Sequence, residues 1–310
     1  MRRSLLIPAL VTTAVVLTAC GGDDDEPVLD TSVEAPAATS APTATTAPAS
    51  TEAVIEGASA ADCATAAGTV SDGVLTIATG EPAFPPYVLD DDPASKQGFE
   101  AAVAWAVAGQ LGFADDAVEW IRTGFDEVIA PGSKDFDFNL QQFTITPERA
   151  NAVDFSQGYY TAAQALLGPE DSPAASAASI ADLQGLRIGV QSGTTSLDYL
   201  ENVIAPDQDP LVYDTNVDAK AALDANQIDA IIADLPTALY ITAVEIEGTT
   251  VFGQIEGSGT DEFGLLLAKD SPLTACVDLA LDALKDSGEL EAITTEWMAD
   301  YTDAPVIAAS

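Results

Sequence analysis

Residues 186–203 read Leu186-Arg187-Ile188-Gly189-Val190-Gln191-Ser192-Gly193-Thr194-Thr195-Ser196-Leu197-Asp198-Tyr199-Leu200-Glu201-Asn202-Val203. The apolar run Leu186 to Val190 predicts a buried strand, Ser192 to Thr195 a turn, and Ser196 to Val203 a helix. Strand, polar turn and helix in that order build parallel sheets with helical cover, and the alternation continues on both sides. Upstream, Val74 to Thr79 reads as a strand and Phe99 to Leu111 as a helix that stops at Gly112. Val118 to Ile121 is strand-like, Phe125 to Ile129 is a helical turn broken by Pro131-Gly132, and Phe136 to Leu140 is a strand. Downstream, Leu211 to Tyr213, Ala219 to Ala225, Ile228 to Ala233 and Pro236 to Val244 keep the same order. A strand from Phe263 to Ala268 and amphipathic helices over Leu273 to Lys285 and Leu290 to Ala299 finish the chain.

The two sets are separated by a linker-like stretch, Pro169 to Ala178, rich in Ala, Ser and Pro. The second set therefore reads as an inserted lobe over residues 165–261, with residues 62–164 and 262–310 forming the first. If the chain crosses near Ala165 and returns near Glu262, two strands join the lobes as a hinge.

Arg2 and Arg3 precede an apolar run from Leu5 to Val16, which is too short to span a bilayer and is followed by Leu17-Thr18-Ala19-Cys20. That pattern resembles the bacterial lipobox, which implies removal of residues 1–19 and a lipid on Cys20. Residues 20–61 are Asp, Glu, Ala, Thr, Ser and Pro with few large apolar side chains, and they read as a disordered tether.

Ten Lys plus Arg against 50 Asp plus Glu give a net charge of −40, with no histidine. Such a field repels nucleic acid and anionic lipid surfaces, so a nucleic-acid partner is not expected. Beyond residue 19 only three arginines remain, Arg122, Arg149 and Arg187. Cys63 and Cys276 in an extracytoplasmic chain without histidine or C-x-x-C spacing suggest a disulfide rather than a metal site. Closing a loop of about 210 residues adds roughly 3 to 5 kcal/mol if the geometry is unstrained.

Seven short motifs then occur in order: Thr79-Gly80-Glu81-Pro82-Ala83-Phe84-Pro85-Pro86-Tyr87, Gly98-Phe99-Glu100, Phe143-Thr144-Ile145-Thr146-Pro147-Glu148-Arg149, Val153-Asp154-Phe155-Ser156, Asp182-Leu183-Gln184-Gly185, Ser192-Gly193-Thr194-Thr195, and Ile228-Asp229-Ala230 with Asp234. Together they resemble the polar amino-acid-binding family of bacterial solute-binding proteins, family 3, over about Val74 to Tyr301. The resemblance implies an α/β, two-lobe periplasmic-binding-protein-like fold of type II, with the lobes joined by a two-strand hinge. It also implies a monomeric receptor, held at the membrane by its lipid alone, that passes an amino acid to an ABC transporter permease without a cofactor or metal.

The residues support a site of that kind on their own chemistry. An α-amino acid needs a fixed cation with N–H donors for its carboxylate and a fixed anion for its ammonium. Arg149 offers a planar fork after the Thr-Ile-Thr-Pro turn, with Thr144 beside it; pairing with Glu148 or Asp154 is the competing structural reading. Thr194 and Thr195 stand between a strand and a helix, where they serve either an anion or a helix cap. Asp234 ends an apolar strand, where ligands of open α/β sheets collect; the resemblance makes it the ammonium acceptor, the competing reading is the N-cap of the next helix, and the two are compatible. Asp229 reads as structural. The resemblance assigns Glu81, Phe84 and Phe125 to the ligand's side chain, and Gln141-Gln142 replaces a pair of small hydroxyl residues, which bears on ligand identity. The side-chain subsite suits a cationic or amide group. Without histidine there is no Ser-His-Asp machinery, so an enzyme is not expected. The alternatives are a cyclohexadienyl-dehydratase-like enzyme with Glu81 as acid, and a tethered amino-acid sensor.

Overall fold

The computed structural model describes residues 58–309, so the expected signal segment, the expected lipidation at Cys20 and the expected tether up to residue 57 lie outside the described residues. The strands are β1 Leu75–Gly80, β2 Val118–Thr123, β3 Phe138–Asn139, β4 Val153–Ala162, β5 Gln164–Pro169, β6 Ile188–Gln191, β7 Leu211–Tyr213, β8 Ala230–Asp234, β9 Thr249–Ile255, β10 Asp261–Ala268 and β11 Val306–Ile307. The helices are α1 Ala60–Ala67, α2 Phe99–Gln110, α3 Phe125–Ile129, α4 Thr195–Tyr199, α5 Asn216–Asp224, α6 Leu235–Tyr240, α7 Thr274–Ser287 and α8 Glu289–Met298. α4 and α6 each continue into a wider π turn, Leu200–Ile204 and Ile241–Glu245.

Two sheets form, in the orders β2-β1-β3-β10-β4 and β11-β9-β5-β8-β6-β7. Each centres one lobe of a two-lobe α/β fold. In the second sheet alternate residues supply opposite cores: Leu166 and Ile232 pack with Ile188, Val190 and Leu200, while Leu167, Ile231 and Ala233 pack with Ala219, Leu223 and Ala238. Both faces are covered, which is why these strands read as unbroken apolar runs. In the first lobe Phe99, Val103 and Val107 of α2 and Val277, Leu281 and Leu284 of α7 pack on Leu75, Ile77 and Leu265, all fully buried. Cys63 on α1 is joined to Cys276 on α7, with Cα atoms 5.4 Å apart.

Two expectations change. The sheets are mixed rather than parallel, because β10 runs antiparallel to β3 and β4, and β5 runs antiparallel to β8 and β9. The chain passes between the lobes at Ala163, where β4 gives way to β5, and the stretch Pro169 to Ala178 packs into the second lobe, with Ala174 fully buried. Residues 262–310 do not all stay with the first sheet. β11 pairs in parallel with β9, Ile307 is 2% exposed, and Glu256 N donates to Ile307 O at 2.9 Å. An open edge of β9 is thereby satisfied by the tail, which a two-residue strand is too short to announce in sequence. Among the described residues no helix is long and apolar enough to cross a membrane.

Candidate functional site

A cleft of about 280 Å³ lies between the lobes, lined from the first by Glu81, Phe84, Phe125, Gln142, Thr144 and Arg149 and from the second by Thr194, Thr195 and Asp234. All nine candidate residues thus border one space, of a size suited to a small solute.

Arg149 begins a 3₁₀ turn after Pro147, where its backbone N–H donates to Thr146 Oγ1 at 3.1 Å. Its guanidinium is buried and donates to two carbonyls, Thr144 O on its own lobe at 2.8 Å and Gly193 O on the other at 2.9 Å. The cation sits 5.5 Å from the Phe125 ring, which stacks on Phe143 with centroids 5.0 Å apart. Among the described residues Arg149 forms no ion pair; Asp154 is taken by Lys269 at 2.9 Å. Two carbonyls use two of its five N–H groups, leaving donors for a carboxylate. The other two arginines are committed, Arg122 to Asp91 and Arg187 to Asp229, and the latter pair confirms Asp229 as structural.

Asp234 stands at the N-cap position of α6, but its side chain makes no capping bond. Its Oδ1 accepts from Gln164 Nε2 at 2.8 Å. Withdrawal from water, and then the nearby charge of Asp261, push this carboxyl up to about 7.

Thr194 does cap: its hydroxyl accepts from Leu197 N at 3.2 Å and donates to Gln191 O at 2.8 Å. What remains for a ligand is the backbone at the start of α4. Thr195 Oγ1 lies 3.0 Å from Asp261 Oδ2 and 3.3 Å from Thr144 Oγ1.

Gln142 has a φ of +50°. Its backbone N–H and its amide both donate to the buried Glu100, so its side chain turns away from a ligand. Gln141, which the sequence offered only jointly with Gln142, lines the cleft with a buried Oε1 that has no partner among the described residues. Asp126 was also missed: it reaches across the cleft to accept from Ser192 Oγ at 2.7 Å. Tyr87 OH and Thr237 Oγ1 meet at 3.3 Å, and Lys220 Nζ lies 4.6 Å from the centre of the Phe84 ring. These contacts join the two lobes, so the arrangement is closed.

Closure brings the Asp126 carboxylate against residue 193. Gly193 has a φ of +67°, and a Cβ there meets Asp126 Oδ1 at 2.0 Å. Gly193→Ala, strained at this φ and displacing Asp126 from its bond to Ser192, is expected to weaken ligand affinity about threefold to tenfold, with the lobes themselves intact. Titration calorimetry beside circular dichroism checks this; unchanged affinity would show that closure does not use this contact.

Glu100 is 1% exposed, and burial pushes its carboxyl up to about 7 against the hydrogen bonds it accepts from Tyr159 and Gln142. Unfolded, Glu100 and Asp234 ionise in the ordinary carboxylate range near 4. Between that range and about 7 the folded chain therefore holds more protons than the unfolded one, and stability falls as pH rises. The ligand-free protein is expected to melt at a higher temperature at pH 5 than at pH 8, and a melting temperature that rises over this window contradicts the assignment.

Comparison with known proteins places this geometry. The sequence profile of the bacterial extracellular solute-binding proteins, family 3, matches residues 75–300. The arginine-binding extracellular protein ArtP of Bacillus subtilis (strain 168) is 31% identical over 207 residues, covering 64% of this chain and 77% of that protein. A solved ancestral arginine-binding protein bound to glutamine is 31% identical with a TM-score of 0.63, over 73% of this chain and 98% of that one. The ancestral amino acid-binding protein AncCDT-1, a precursor of cyclohexadienyl dehydratase, is 26% identical with a TM-score of 0.60, over 77% and 99%. With the profile spanning most of the chain and solved relatives matched over nearly their whole length, the chain belongs to the bacterial extracellular solute-binding proteins, family 3.

Proposed function

We propose that this protein is an extracytoplasmic receptor, anchored as a lipoprotein through Cys20, that closes on a polar or cationic α-amino acid and delivers it to an ABC transporter permease. One observation carries the reading. A guanidinium and a carboxyl, Arg149 and Asp234, face the same cavity from different lobes, and among the described residues neither is spent on an ion pair or a cap. The carboxylate of an amino acid pairs with Arg149 and with N–H groups at the start of α4, while its ammonium pairs with Asp234. One zwitterion then satisfies groups on both lobes, which gives closure its driving force.

The ligand's side chain lies toward Phe84 and Phe125, with Glu81, Asp126, Glu127 and Asp214 also lining the cleft. Those carboxylates, with the free Gln141 carbonyl, favour a side chain that donates hydrogen bonds or carries positive charge. The similar proteins include an arginine-binding one and one bound to glutamine, in keeping with such a side chain. No imidazole exists in the sequence to serve as an acid or base, and the reading is of a binding protein rather than a catalyst.

A thermal-shift screen of the twenty amino acids tests this. A cognate ligand at 100 times its dissociation constant stabilises by about 2.7 kcal/mol, and a screen in which none of the twenty shifts the melt refutes the reading. Asp234→Asn is expected to weaken the selected amino acid by about 30-fold or more while leaving the circular dichroism unchanged. Equal affinity in calorimetry would remove Asp234 from the site.

A further inference from the structure

Behind the cleft, where the strands cross between the lobes, two acids and an amide meet. Gln164, the first residue of β5, is 1% exposed. The two protons of its Nε2 go to two carboxylates, Asp234 Oδ1 at 2.8 Å and Asp261 Oδ2 at 2.6 Å. Its Oε1 accepts from Ser196 Oγ at 2.6 Å, and reversing the amide would set its oxygen against both carboxylates. Asp261, the first residue of β10, does not line the cleft, yet its Oδ2 also accepts from Thr195 Oγ1 at 3.0 Å. With the Thr195 proton directed there, Thr144 is the donor in the 3.3 Å contact between the two hydroxyls. A polar chain therefore runs from Thr144 through Thr195 to Asp261, and Gln164 joins Asp261 to Asp234.

We infer that Asp261 is a positioning residue of the cleft, which acts through Gln164 and Thr195 to set the charge of Asp234 and the geometry that receives the ligand's ammonium. The inference rests on Asp234 as the ammonium acceptor. Two carboxylates bridged by one amide resist ionising together. Asp234 is faced besides by Arg149, Glu100, Tyr87, Tyr159 and Tyr160. Asp261 is faced by Arg149, Asp198 and Tyr199. Arg149 is the single cation in that set, and both carboxyls are raised, in each case first by removal from water. An ammonium arrives already carrying its protons, so the proton on Asp234 leaves to solvent as the N–H to carboxylate pair forms. Binding below about pH 7 thus releases up to one proton, and affinity falls with acidity in that range.

Asp261→Asn tests this, because an asparagine oxygen keeps an acceptor for both Thr195 and Gln164 while the charge is removed. Carbon-13 carboxyl titration of the ligand-free protein is expected to show the Asp234 midpoint falling by about one pH unit or more in the variant. L-arginine and L-glutamine, measured by calorimetry at pH 6 and pH 8, are expected to lose about tenfold in affinity at the lower pH in the wild type and only about twofold in the variant. Gln164→Met removes the bridge and leaves both acids, and is expected to raise the Asp234 midpoint; it decides the matter if Asp261→Asn does not fold. An Asp234 midpoint left in place by a folded Asp261→Asn, or by Gln164→Met where Asp261→Asn does not fold, overturns the inference. If neither amino acid binds the wild type, the amino-acid reading fails separately, and the titration still decides whether Asp261 governs Asp234.

Discussion

Arg149→Ala is expected to weaken binding of the selected amino acid by about 30- to 5000-fold, equivalent to about 2 to 5 kcal/mol. The size follows from what the guanidinium holds. It is buried, it ties Thr144 O to Gly193 O across the lobes, and it is the one arginine among those described that faces the cleft. Removing it leaves the ligand carboxylate without a cation and deprives Gly193 O of its donor from the other lobe, so both affinity and closure suffer. Arg149→Lys keeps the charge but cannot bridge two carbonyls and a carboxylate together, and is expected to recover only part of the loss. Calorimetry on the two variants checks this, with solution scattering as the measure of compaction. A loss below about threefold for the alanine variant would move the carboxylate site elsewhere.

Opening the Cys63–Cys276 bridge, by serine at both positions, is expected to cost about 2 to 5 kcal/mol of stability. The bridge closes a sequence separation of 213 residues and pins α1, whose own anchorage is slight: only Ala60 and Ala64 of this eight-residue helix are buried. Its partner on α7 is fully buried in the first lobe's core, so the bond ties the start of the folded region to the helix that covers the sheet. For a domain of this size the melting temperature is expected to drop by roughly 5 to 15 °C, with ligand affinity little changed because neither sulfur is near the cleft. Chemical denaturation with linear extrapolation gives the figure. A loss under about 1 kcal/mol would mean that α1 detaches locally without weakening the rest.

The parts of this molecule that could be read from sequence were those where one physical demand dominates. A guanidinium in a chain with few arginines, an acid closing an apolar strand and a polar turn leading into a helix each stand out against their neighbours. Thr194 was ambiguous for a sound reason, since the same hydroxyl suits a cap and an anion, and in the fold the cap takes it. Gln141 and Gln142 could not be told apart, because the positive φ that turns Gln142 toward Glu100 is set by the buried acid and not by local sequence. Asp261 and Gln164 were invisible as site residues, because they are brought together only by the crossing of two strands 97 residues apart. β4 was missed because its exposure follows no two-residue period, and β11 because two residues carry no period at all.

The most direct measurement compares the amino acid selected by the screen with two halves of itself, the decarboxylated amine and the deaminated acid, by calorimetry on the wild-type protein. If Arg149 and Asp234 hold opposite ends of one molecule, each half binds at least about 30-fold more weakly than the whole. An amine or an acid that binds as tightly as its parent would show that one of the two ends is not gripped at all.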